Sequence, residues 1–171
     1  MKLDPLNLLL NKDFNLNKNL YFIGGNEITL MEKISSTIIK KYKVNDDISI
    51  NRIDTIDNLN DSMGLFENKR VFVGKNCKGL NEDNLDKVKN SGDVYVLLQE
   101  NSSKTKKIKS LIAKDKDCYL IDCYELDKGS KIKILNEFSK SSKTKISEDL
   151  YWFLIEKLDN KYIFLENNLN T

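Results

Sequence analysis

The sequence predicts an α/β fold, a doubly wound parallel sheet of five strands with helices on both faces, followed by a small all-helical unit. Three observations carry this expectation. Short apolar runs alternate with amphipathic stretches as far as Glu125, the pattern of strands joined by crossover helices. Val94-Tyr95-Val96-Leu97-Leu98 is continuously apolar, as expected of a strand covered on both faces. Strand signals then stop, and helical spacing takes over to the end of the chain.

Each element follows from local chemistry. Leu6 to Phe14 reads as a short helix behind Asp4-Pro5, because proline suits the first helical turn. Leu20-Tyr21-Phe22-Ile23 is the first strand, and Gly24-Gly25 reads as the tight turn that ends it. Asn26 is the expected cap of a helix whose Met31, Ile34, Ile38 and Tyr42 share one face. Ile48 to Ile53 alternates apolar with polar and forms the second strand. It leads through the polar segment Asp57 to Met63 into a third strand at Arg70 to Val73.

Asn81 to Asn90 is the next helix, followed by the strand at Val94 to Leu98, a helix over Lys104 to Ala113, and a last strand at Cys118-Tyr119-Leu120-Ile121. The period changes after Glu125, so the expected division is an α/β domain over 1–125 and a small helical domain over 126–171. In the second, Ile132, Leu135 and Phe138 mark one helix. Ser147 caps another carrying Leu150, Tyr151, Leu154, Ile155 and Leu158, and Tyr162, Leu165 and Leu169 mark a third. Trp152-Phe153 is expected in the core or between the domains.

Composition bears on function mainly by exclusion. The chain has 28 basic and 26 acidic residues, a net charge of +2, so no global field selects nucleic acid or an anionic membrane as partner. Histidine is absent. That removes the usual general base and the Ser-His-Asp and Cys-His arrangements, together with the commonest nitrogen ligand for metals. Cys77, Cys118 and Cys123 lack metal or redox spacing and read as structural thiols in a reducing compartment. No run of about 18 apolar residues is present, so a cytoplasmic protein without membrane contact is expected. Asp46-Asp47 and Asp115-Lys116-Asp117 read as solvated loops, and neither a metal nor a cofactor is expected.

A strand followed by glycines and a helix invites comparison with a phosphate loop. That chemistry needs a Gly-Lys-Ser/Thr ending, in which amides cradle the phosphates, lysine neutralises them and the hydroxyl holds magnesium. Counted from Gly24, the Gly-Lys positions hold Thr29 and Leu30, and the strand ending at Leu97-Leu98 runs into Gln99-Glu100 rather than an acidic pair. Nucleotide hydrolysis is therefore not expected. Two other features remain. Met63, Leu65 and Phe66 put three large apolar side chains into four positions of a loop, each capable of contributing about 1.5–3 kcal/mol on burial, a compact wedge suited to a pocket on another protein or to this domain's own core. Lys104, Lys106, Lys107 and Lys109 gather where a helix begins, against its dipole, either as a solvated face or as a contact for phosphate.

The order of several motifs resembles the delta subunit of bacterial DNA polymerase III, the clamp-loader subunit that binds and opens the sliding clamp. The resemblance lies in Leu20-Tyr21-Phe22-Ile23-Gly24-Gly25-Asn26-Glu27, Gly64-Leu65-Phe66-Glu67-Asn68-Lys69-Arg70-Val71, Asp93-Val94-Tyr95-Val96-Leu97, Ile146-Ser147-Glu148-Asp149 and Leu165-Glu166-Asn167-Asn168-Leu169. It implies an AAA+ fold without ATPase chemistry. It also implies that Met63, Leu65 and Phe66 insert into a pocket of the clamp (the beta subunit), helped by Tyr42 and the helix after Asn26. Gly64 stands where the family often has Ser. Family members continue into a helical collar domain that assembles the loader, which this sequence does not reach; a collar would add the other loader subunits as partners, and DNA indirectly. Two readings from other classes stay open, a small nucleotide-binding α/β enzyme of aberrant kinase type and a DNA-binding module using the four lysines.

Overall fold

Six parallel strands form a single sheet in the spatial order β1-β6-β2-β5-β4-β3. The strands are β1 (Lys2–Leu3), β2 (Leu20–Gly25), β3 (Ile48–Thr55), β4 (Lys69–Lys78), β5 (Val94–Glu100) and β6 (Cys118–Cys123). The helices are α1 (Pro5–Leu10), α2 (Ile28–Tyr42), α3 (Glu82–Asn90), α4 (Ser103–Lys114), α5 (Lys128–Ser142), α6 (Glu148–Lys157) and α7 (Tyr162–Asn170). The structure is a computed structural model, which describes residues 1–11, 13–43, 48–57 and 69–170 and, of Lys69, the backbone only.

The doubly wound arrangement is the one expected from sequence, with one strand more. β1 contributes only two residues, Lys2 beside Leu120 and Leu3 beside Ile121, too short for any alternation to register. Strand pleating then sorts the side chains between two layers. Tyr21, Ile23, Val71, Val94, Val96, Leu98, Tyr119, Ile121 and Cys123 face a core shared with α1, α2 and the helices α5 to α7. Leu20, Phe22, Phe72, Tyr95, Leu97, Cys118 and Leu120 face a second core under α3 and α4.

Caps explain where the helices begin. Asp4 Oδ1 accepts from Leu6 N at 2.9 Å ahead of Pro5. Asn81 accepts from Asn84 N, with Glu82 and Asp83 in the first turn of α3 and Lys87 and Lys89 in the last, each favourable to the helix dipole. Ser102 and Thr105 form a reciprocal capping box on α4. Ser147 occupies the cap position of α6 as expected, but its side chain makes no capping bond.

The helical tail packs onto the sheet. Ile134, Leu135, Ile155, Leu158, Tyr162 and Leu165 join the first core. Lys131 is buried and donates to the carbonyls of Ile155 and Leu158, at 3.3 and 2.5 Å, at the end of α6 where unpaired carbonyls favour a cation. Lys33 of α2 reaches Glu166 of α7 at 2.7 Å.

Two expectations fail here. Trp152 and Phe153 are 44% and 55% exposed rather than packed, because α6 carries apolar residues at consecutive positions and turns only Ile155 fully inward. Tyr42 points into the first core, its hydroxyl 3.2 Å from that of Tyr21, so it offers no surface to a partner.

Candidate functional site

Ligands of open α/β sheets bind beyond the carboxyl ends of the strands, where successive connections leave in opposite directions. In this sheet that point is the end of β2. Gly24 lies between Gln99 and Asp122, and Gly25 between Glu100 and Cys123. From β2 the chain runs through α2 toward β3 at one edge, whereas the β5-α4-β6 connection passes to the other side.

The glycines do not form the expected turn. Both are strand residues, and neither has a positive φ. Their requirement is close approach. A Cβ on Gly25 would lie 1.8 Å from the carbonyl oxygen of Cys123, and one on Gly24 would lie 2.4 Å from Cε of Lys109. The tight contact at Gly25 lets Asn26 N and Glu27 N both donate to Cys123 O at 3.2 Å.

The helix cap also differs from expectation, being Glu27 rather than Asn26. Asn26 has its backbone turned to Cys123. Glu27 is only 4% exposed and accepts from Thr29 N (3.1 Å), Thr29 Oγ1 (2.7 Å) and Leu30 N (2.7 Å). A carboxylate therefore sits on the first-turn amides that would cradle a phosphate at this end of α2, supplying the negative charge that the dipole favours. A phosphate placed here would meet both taken donors and a like charge.

The opposite side of the crevice is filled as well. Lys109 lies across Gly24 and donates to Asp122 Oδ1 at 2.8 Å and Asn101 Oδ1 at 3.0 Å, 5.6 Å from the Tyr124 ring centroid. Lys75 pairs with Glu32 of α2 at 2.8 Å. Asn76, with φ of 51°, exchanges hydrogen bonds with the side chain and amide of Glu100. Every buried side-chain nitrogen and oxygen among the described residues has a partner. Burial pushes the thiol of Cys77 up to about 11 and those of Cys118 and Cys123 up to about 12, so all three stay protonated and unreactive near neutrality.

The structure therefore separates the four lysines. Lys104, Lys106 and Lys107 are exposed near the start of α4, whereas Lys109 is turned inward to Asp122. A run of lysines in sequence does not reveal an acid on the neighbouring strand. Glutamate is not among the preferred capping residues, so sequence pattern favours Asn26 over Glu27 as the cap. The only signal was a carboxylate two and three residues ahead of Thr29 and Leu30.

Met63, Leu65 and Phe66 lie outside the described residues, as do Asp46 and Asp47. The flanks of the first segment are firmly held. Asp57 accepts from Asn84 Nδ2 at 2.7 Å, and Arg70 forms a buried two-bonded pair with Asp93 at 3.2 and 2.7 Å. Burial would raise the Asp115 carboxyl, but the Lys89 ammonium at 2.9 Å outweighs it and holds the carboxyl below its ordinary value. Among the described residues no group of three His, Cys, Asp or Glu is placed to hold a metal ion, and no helix is long and apolar enough to cross a membrane.

Comparison with known proteins bears on the fold alone. No protein-family model matches the sequence, and no curated protein does. The Bacillus subtilis DNA clamp loader delta protein (YqeN) superposes with a TM-score of 0.62 at 15% identity, over 97% of this chain and 56% of that one. Domain III of the Thermotoga maritima replication initiation protein DnaA superposes with a TM-score of 0.40 at 12% identity, over 97% of this chain and 77% of that one. The chain thus spans about half the length of the clamp-loader protein it is similar to. The fold is AAA+-like α/β, with six parallel strands in place of the five expected.

Proposed function

We propose that the chain is a replication clamp-loader subunit of the delta type, binding a sliding clamp through Met63, Leu65 and Phe66 and performing no nucleotide chemistry itself. The observation that carries this reading is the Glu27 carboxylate at the start of α2. An AAA+-like fold whose phosphate cradle is taken by its own side chain is left with binding as its task. The likeness of its fold to a clamp loader delta protein, and the motif order around the wedge, support the same reading. The kinase-like alternative loses support at the same place. The proposal includes a division into an α/β body (1–125) and a helical unit (126–171), a cytoplasmic location, and other loader subunits as partners wherever a collar follows.

Binding of the wedge would favour an opened or strained ring if the open ring fits it better, by the difference in affinity between the two states. Burial of three side chains contributes at most about 5–9 kcal/mol, against roughly 4–15 kcal/mol lost on association, so surface around the wedge must contribute too. The test is clamp affinity of Leu65→Ala with Phe66→Ala. The expected result is at least tenfold weaker binding with unchanged thermal unfolding. Loss of the fold would return both residues to the core, and unchanged affinity would end the proposal.

A further inference from the structure

The solvent face of α4 concentrates positive charge that no acid among the described residues pairs with. Its twelve residues hold five lysines and no acid, although acids and bases nearly balance over the whole sequence. Thr105, Ile108 and Ile112 are buried, and helical spacing then turns Ser103, Lys106, Lys107, Ser110 and Lys114 outward, with Lys104 at their flank. Lys104, Lys106, Lys107 and Lys114 are exposed, and among the described residues none of them has an ion-pair partner. The acids nearby are engaged elsewhere: Glu100 with Asn76, Asp115 with Lys89, and Asp122 with Lys109. Three of the four cations also stand in the first half of the helix, where the dipole opposes them.

We infer that this face binds the sugar-phosphate backbone of nucleic acid without reading its bases. The helix is about 18 Å long, and a duplex presents a phosphate charge for roughly every 1.7 Å of its axis, so all four ammonium groups have phosphates within reach. The outer face offers only lysines and serine hydroxyls, which suit phosphate oxygens. It carries no Arg, Asn, Gln or aromatic side chain of the kind that recognises base edges or stacks on them. The inference is independent of the wedge, which belongs to a different segment of the chain.

The experiment is fluorescence anisotropy of the whole chain with a mixed-sequence duplex and a shuffled one between 50 and 200 mM salt. Four phosphate contacts give a slope of about −3.6 in log affinity against log salt, or roughly 150-fold weakening over that range. Replacing Lys104, Lys106 and Lys107 together by Gln is expected to weaken binding at least tenfold and to remove about 2.7 of the slope, with the far-ultraviolet circular dichroism and clamp affinity unchanged. The charge-matched control replaces Lys140, Lys143 and Lys145 by Gln, all exposed and distant in sequence. Equal loss in the control would overturn the inference, as would a preference between the two duplexes above threefold. Competition by polyglutamate as effective as by DNA at equal charge would reassign the face to an acidic protein.

Discussion

Gly25→Ala and Gly24→Ala place the same methyl group at adjacent positions of β2, and the structure gives them unequal consequences. At Gly25 the new carbon starts 1.8 Å from Cys123 O and 2.7 Å from its carbonyl carbon, both backbone atoms of the neighbouring strand. Ordinary contact begins near 3.4 Å, so β2 and β6 must part by about 1.5 Å at this point. That movement carries both hydrogen bonds to Cys123 O out of range. Two bonds at about 1 kcal/mol each, plus about 1–3 kcal/mol of overpacking, give a loss near 3–5 kcal/mol. For a chain of this size that is a fall in melting temperature of roughly 6–20 °C. At Gly24 the nearest obstacle is the flexible end of Lys109, which can swing away for the loss of its pairing with Asp122, about 1 kcal/mol at a partly exposed site, and the Phe22 ring at 3.1 Å has only a few tenths of an ångström to give. Thermal unfolding followed by circular dichroism should therefore show Gly24→Ala within about 5 °C of the parent and Gly25→Ala far below it. Equal losses, or a Gly25 variant within 1 kcal/mol of the parent by urea titration, would refute the view that this pair serves strand approach.

Two further outcomes concern the two ends of the sheet. Glu27→Ala leaves the amides of Thr29 and Leu30 without their acceptor and should cost about 2–4 kcal/mol by urea denaturation, with Glu27→Gln, which keeps one acceptor, recovering about half; a neutral Ala variant would show that these amides are satisfied some other way. Asp93→Ala should cost about 3–5 kcal/mol because it removes the carboxylate that holds the buried Arg70 guanidinium by two hydrogen bonds, and Arg70→Met combined with Asp93→Leu should cost less than the sum of the two single changes; additivity in that cycle would mean the pair is not coupled.

The central strands were legible because they are covered on both faces and so are apolar without interruption, as at Leu20 to Ile23 and Val94 to Leu98, and β3 because its apolar residues alternate with polar ones. The strand signal failed at β1, where two residues have no period. Side-chain roles at the ends of strands were less legible, since they depend on what lies across the sheet. Gly25 answers to Cys123, almost a hundred positions away, and Lys109 to Asp122 on the next strand. The exposed Trp152 and Phe153 were misplaced for a different reason. A helix apolar on every side gives no period from which to choose the buried face.

The crevice joins these separate contacts into one physical consequence. In a fold of this kind a bound nucleotide supplies an anion to the first turn of the helix after β2 and draws the surrounding groups together around it. Here Glu27 supplies the anion, and Lys109, Asp122 and Asn101 close the other side. Because Glu27 is covalently part of the helix it caps, it loses little of the translational and rotational freedom that a free phosphate loses on binding. A free phosphate would therefore compete against a resident group at a large entropic disadvantage. Glu27 thus stands at the place from which a nucleotide phosphate would act on this sheet. Under the proposed role, a change of state would be driven from another surface, by a partner whose contacts differ between the two states. Such a partner is what the proposed role assigns to the segment between β3 and β4, whose flanks the Asp57–Asn84 and Arg70–Asp93 contacts fix to the body of the sheet.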